Sequence, residues 1–91
     1  MKICTKVNND SVKELLEWLK LNTTAEWGSG HNPLDKEMAD LLEWREMNVY
    51  FLFLYQNKDK KLIIKYATKT NDGKLVTPNE FKRIALEWEK E

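Results

Sequence analysis

Few residues of this chain belong to the types that carry out catalysis. Its 91 residues include one histidine, His31, and one cysteine, Cys4. Ser29 lies two residues before His31, but a nucleophile and base also need a third group that orients the base and donors for an oxyanion. The stretch Gly28-Ser29-Gly30 is too short for a phosphate-binding loop and lacks the lysine that would follow it. We therefore predict that the protein is not an enzyme.

The single cysteine and the single histidine also limit which metal sites, disulfides and cellular compartments can be expected. One thiol and one imidazole cannot complete a zinc site, and one cysteine cannot form an internal disulfide. No cofactor or metal is expected. An unpaired cysteine, with no apolar stretch of signal-peptide length near the N-terminus, predicts a cytoplasmic location. The longest apolar run, Val49 to Tyr55, is far too short to cross a bilayer, so no membrane partner is expected.

Four tryptophans are the most unusual feature of the composition. The tripeptide Leu-Glu-Trp occurs three times and ends at Trp18, Trp44 and Trp88. At about 100° per helical residue, Trp88 falls on the predicted apolar face of its helix and is expected in the core. Trp18 and Trp44 fall roughly 110–120° from the centres of their own apolar faces. Two interpretations remain open: these two rings pack between neighbouring elements, or they form an exposed contact surface.

The second interpretation predicts a protein-binding surface, because tryptophan is enriched at binding hot spots. Three acids on one side of a predicted helix would guide a basic partner towards it. The predicted surface comprises Trp18, Leu21, Trp27, Trp44 and Met47, with Glu37, Asp40 and Glu43 as the acidic guide. A homodimer would use the same residues, so the identity of the partner stays open.

The formal net charge of zero conceals a separation of charge along the chain. Residues 10–47 hold nine acids and four bases, a net −5, whereas residues 57–74 hold six lysines and two aspartates, a net +4. A lysine-rich hairpin can contact phosphates, which makes nucleic-acid binding the alternative function. The lysines concerned are Lys58, Lys60, Lys61, Lys65 and Lys69. Neither arginine of the chain lies among them, and exposed lysines also protect strands against aggregation.

The side chains discussed above lie on helices and strands that the capping motifs and the apolar periodicity predict. A capping box at Ser11–Glu14 and another at Thr77–Glu80 predict where the first and last helices begin. The run from Val49 to Tyr55 is apolar at every position, which predicts a central strand covered at least partly on both faces. The expected elements are a strand over 3–7, a helix over 11–22, a loop over 23–31, a helix over 32–47, strands over 49–55, 62–68 and 74–76, and a C-terminal helix.

The predicted fold is a single α+β domain over residues 1–91, because no linker divides the chain. It has a small three- to four-stranded antiparallel sheet and about three helices, in the order β-α-α-β-β-β-α. The expected function is that of a small protein-binding module, an inhibitor or regulator of a larger protein. Thirteen lysines against two arginines, with eight asparagines, suggest an AT-rich gene such as a phage or mobile element would carry.

Overall fold

A computed structural model describes residues 2–27, 50–67, 69–70 and 72–90. Within those residues there are five strands and two helices. They are β1 (Lys2–Val7), α1 (Asn9–Asn22), β2 (Glu26–Trp27), β3 (Tyr50–Gln56), β4 (Leu62–Ala67), β5 (Lys74–Leu75) and α2 (Pro78–Glu89).

The strands form one sheet in the order β2-β4-β3-β1-β5. Strand β3 pairs antiparallel with β1 on one side and with β4 on the other. Leu52 and Leu54 are buried on one face of this strand, and Phe53 is buried on the other. The prediction of a central strand, made from the apolar run, is therefore confirmed.

The predicted three- to four-stranded antiparallel sheet is wrong, because the sheet has five strands and is mixed. β2 pairs in parallel with β4, and β5 pairs in parallel with β1. β5 lies within the strand predicted over 74–76, but two residues do not show which strand it pairs with. β2, also two residues long, lies inside the predicted loop over 23–31. The described part of the chain holds two helices instead of about three, and the helix predicted over 32–47 lies outside it.

Helix α1 begins earlier than its predicted cap at Ser11. Asn8 is the N-cap, and its Oδ1 accepts hydrogen bonds from the Asp10 and Ser11 N–H groups at 2.9 and 2.8 Å. The Ser11 Oγ in turn accepts a hydrogen bond from the Asn8 N–H at 2.9 Å, which completes a capping box. Helix α2 begins where the sequence predicts, with the Thr77 Oγ1 accepting from the Glu80 N–H at 3.2 Å.

Both helices pack on the same face of the sheet and enclose the core. Apolar residues at i, i+3 and i+4 on each helix meet the side chains that alternate along the strands. The fully buried contributors include Ile3, Leu52, Leu54 and Ile64 from the sheet, with Leu16, Leu19, Phe81 and Ala85 from the helices. Neither helix in the described residues is long and apolar enough to cross a membrane.

The two helices lie side by side and run in the same direction. At their far ends, the N–H and Oγ1 of Thr24 donate to the Glu89 Oε2 at 3.1 and 3.0 Å. At their near ends, Ser11 in the first turn of α1 and Pro78 at the start of α2 line one cavity. Both N-termini therefore lie at one end of the helical layer and both C-termini at the other.

Candidate functional site

Trp18 and Leu21 lie on the side of α1 that faces α2. The Trp18 ring is half-buried and packs against the edge of the core. The Lys82 Nζ of α2 lies 5.6 Å from the centroid of that ring, a cation–π distance. Leu21, three residues after Trp18, is 75% exposed, more than any other large apolar side chain of the described residues. Of the predicted surface, this pair is the part that is both adjacent and accessible.

Helix α2 adds a residue that the sequence reasoning missed. Leu86 is 38% exposed and lies four residues after Lys82, so it follows Lys82 on the same side of α2. Because Lys82 contacts Trp18, that side of α2 faces α1. We call Trp18, Leu21, Leu86 and Lys82 the helical patch. Leu86 stands 150° from the centre of its own apolar face at about 100° per residue, which is the signal that marks it as exposed.

Trp88 and Trp27 lie elsewhere. Trp88 is half-buried and packs against the core, on the face where the helical period places it. Trp27 is only 5% exposed, because β2 joins the sheet beside β4 and turns its ring inward. The ring packs edge-on against Tyr66 at 6.2 Å between centroids. Trp27 therefore adds no accessible ring to the helical patch.

The remaining residues of the predicted surface lie outside the described part of the chain. They are Glu37, Asp40, Glu43, Trp44 and Met47. The same holds for Ser29 and His31, the two side chains weighed as a nucleophile and its base.

The lysines predicted to bind nucleic acid do not converge on one surface. Lys58 and Lys60 are exposed at the tip of the β3–β4 hairpin, and Lys69 is exposed beyond the end of β4. The Lys61 Nζ forms an ion pair with the Oε1 of Glu26 in β2 at 3.1 Å. Lys65 extends over the sheet face opposite the helices, where its Nζ lies 5.6 Å from the Phe53 centroid and 5.7 Å from the Tyr55 centroid.

Lys65 belongs to a small charged cluster on that opposite face. The Lys2 Nζ lies 5.6 Å from the Tyr55 centroid and donates to the Asp72 Oδ1 at 3.1 Å. The side-chain contact between the two lysines raises the pKa of Lys2 and lowers the pKa of Lys65, and Asp72 adds to the rise at Lys2. The hydrogen bond from Lys2 lowers the pKa of Asp72. Because these partners are 70 residues apart, no local sequence pattern could predict the cluster.

No family model, curated protein or solved structure matches this chain.

Cys4 is the only strongly nucleophilic side-chain type in the described residues, and its environment makes it unreactive. It is fully buried on the sheet face opposite the helices. Burial raises the pKa of the thiol, so the reactive thiolate is disfavoured at neutral pH. Over the described ranges, histidine, cysteine and acidic side chains form no group of three that could hold a metal ion.

Proposed function

We propose that this chain is a small non-enzymatic protein-binding domain that inhibits or regulates a larger protein through the helical patch. The observation that carries the proposal is Leu21, an apolar side chain 75% exposed beside a half-buried tryptophan. Isolated exposed leucines are ordinary, but Leu21 and Leu86 follow Trp18 and Lys82, two residues in contact, by one helical turn on two parallel helices. Contiguous apolar surface with a polar rim is typical of protein interfaces.

The charges around the helical patch favour a particular kind of partner. Lys82 lies over the Trp18 ring and forms no ion pair within the described residues. Arg83, its neighbour, is held by Glu80 and Glu87 at 3.2 and 2.7 Å. Lys82 is thus the cation of the helical patch that can pair with a partner's carboxylate. A partner that presents an apolar side chain next to a carboxylate would complement the helical patch.

The test is site-specific photocrosslinking from position 21 in the source cell. We expect a protein larger than this chain to be captured, and we expect Leu86→Gln to abolish the capture. Leu75→Gln is the matched control, since Leu75 is 56% exposed but belongs to β5 at the sheet edge. All variants should melt within a few degrees of the parent chain, because surface substitutions usually change stability by less than about 0.5 kcal/mol.

Three results would contradict the proposal. Capture from position 21 could survive Leu86→Gln, or it could fall equally with Leu75→Gln. The crosslinked product could also contain only a second copy of the chain, with sedimentation showing a dimer, which would make the patch a self-association surface.

Nucleic-acid binding is the weaker alternative. Of the five lysines, only Lys58 and Lys60 lie in the same exposed turn, and neither forms an ion pair with a described residue. Two cations give a shallow salt dependence, about two units or less in the slope of log affinity against log salt. A steep dependence that disappears with Lys58→Glu and Lys60→Glu would favour this alternative over the helical patch.

A further inference from the structure

Lys2 and Lys65 bring two amino groups together on the sheet face opposite the helices. Lys2 of β1 is paired with Tyr55 of β3, and Lys65 of β4 is paired with Phe53, two residues earlier on β3. Because alternate residues of a strand share one face, the two lysines flank the same face of β3 from its two sides. Their Nζ atoms lie 5.6 and 5.7 Å from the centroid of the Tyr55 ring. This cluster is distinct from the helical patch, which lies on the other side of the sheet.

The Tyr55 ring explains why two groups of like charge lie so close together. The face of an aromatic ring attracts a cation, and this ring attracts one from each neighbouring strand. The two lysine side chains contact each other as a result. Two ammonium groups in contact repel each other, whereas an ammonium group can donate a hydrogen bond to a neutral amine. The contact is therefore most stable when one of the two amines has lost its proton.

The acid of the cluster determines which amine loses its proton. The Lys2 Nζ donates to the Asp72 Oδ1 at 3.1 Å, and this carboxylate stabilises the charged form of Lys2. Contact with Lys2 lowers the pKa of Lys65, and burial lowers it further. The titratable groups packed around Lys65 in the described residues are Lys2 of β1, Tyr55 of β3 and Asp72, which precedes β5. Lys65 is thus the amine that is more readily neutral, and it is exposed to solvent.

We propose that Lys65 is a site of acylation by acyl phosphates, small molecules in which an acyl group is linked to a phosphate. The neutral Lys65 amine attacks the acyl carbon, so that a C–N bond forms and the C–O bond to the phosphate breaks. The phosphate leaves with the bonding electron pair and takes the proton that the new amide nitrogen loses. Lys2 stays charged and attracts the phosphoryl oxygens. A lysine next to a second cationic group is an activated nucleophile.

The experiment is acetylation of the full chain with acetyl phosphate, followed by peptide mapping with mass spectrometry at early times. The reference amines are Lys58 and Lys69, which are exposed lysines outside the cluster. We expect Lys65 to be acetylated several-fold faster than either reference amine at neutral pH. This excess should shrink as the pH rises, because lysine amines in general become neutral near their ordinary pKa of about 10.4.

Three variants assign the effect to the charge of Lys2. Lys2→Met removes the ammonium group and keeps an unbranched side chain, so acetylation of Lys65 should fall to the rate of the reference amines. Its pH profile should also move to higher pH, a change that a purely structural role of Lys2 would not produce. Lys2→Arg keeps the charge and should keep most of the excess. Lys6→Met is the matched control and should leave the excess unchanged, since Lys6 lies on the same face of β1 but is paired with Phe51.

A neutral acyl donor tests the role of the phosphate group. With phenyl acetate, which carries no charge, the excess at Lys65 should be smaller than with acetyl phosphate, because Lys2 then attracts no phosphoryl oxygens. The proposal is overturned if Lys65 is acetylated no faster than the reference amines, or if the excess survives Lys2→Met. Loss of the excess in Lys6→Met would also overturn it, and an equal excess with phenyl acetate would overturn the assignment to acyl phosphates.

Discussion

Gly73 is the position at which a single methyl group should have the largest effect on this fold. A Cβ at residue 73 would lie 2.5 Å from the Phe53 Cε2, 3.0 Å from the Phe53 Cδ2 and 3.3 Å from the Cys4 Sγ. The chain enters β5 across the sheet face opposite the helices and comes this close to the central strand. Phe53 and Cys4 are both fully buried, so neither side chain can move into solvent to relieve the clash.

We expect Gly73→Ala to lower the free energy of unfolding by about 2–3 kcal/mol, the upper part of the range for overpacked cores. In a domain of this size each kcal/mol corresponds to roughly 4–8 °C of melting temperature, so the loss should be about 8–24 °C. Thermal and urea unfolding followed by circular dichroism would measure it. Lys74→Ala, at the exposed neighbouring position, is the control and should change stability by less than about 0.5 kcal/mol.

A double-mutant cycle with Phe53→Leu tests the steric reason. The smaller side chain removes the ring atoms that the new methyl group would meet, so Gly73→Ala should cost at least about 1 kcal/mol less in that background. Additive effects, or a Gly73→Ala variant as stable as the parent, would refute the close approach of residue 73 to the central strand.

Three further predictions concern single groups. Lys60 has φ 63°, a left-handed conformation, so Lys60→Gly should raise the free energy of unfolding by up to about 1 kcal/mol in urea melts, whereas Lys58→Gly should not raise it. The buried Cys4 thiol should react with a disulfide reagent at pH 8 far more slowly in the native protein than in guanidinium, and equal rates would contradict its burial. The lowered pKa of Asp72 means that its contribution to stability is present above the unfolded pKa of about 4 and is lost as the pH falls through the folded value. Asp72→Asn should therefore flatten the acid side of the stability profile, measured by urea unfolding at several pH values, and it should lower the pKa of Lys2, measured by NMR titration.

The sequence predicts those elements that its own periodicity or caps define. The unbroken apolar run around Phe53 indicates a central strand because both sides of such a strand are covered. The Thr77-Pro78 cap places the start of α2 correctly because cap and proline act within one turn. The start of α1 is missed because Asn8 and Ser11 cap each other, and the sequence offers two overlapping capping patterns at that point.

The strand β2, and the parallel pairing of β5 with β1, could not be predicted in the same way. Each is stabilised by hydrogen bonds to a strand distant in sequence, as when Val76 donates to Cys4. Trp27 is buried because β2 joins the sheet. Since β2 could not be predicted, the sequence could not show that Trp27 is the buried member of the predicted surface. Helical phase alone places Trp18 at the edge of the core-facing side of α1 and Leu21 opposite it, in agreement with the half-buried ring and the exposed leucine.

The parallel arrangement of the helices explains why the two exposed leucines of the helical patch lie towards the same end of the helical layer. β1 and β5 are parallel, α1 follows β1 after Asn8, and α2 follows β5 after Val76 and Thr77. Each helix returns along the same face of the sheet, so the two must run in the same direction. Their N-termini then meet beside Lys6, and the exposed leucines Leu21 and Leu86 lie towards their C-terminal ends.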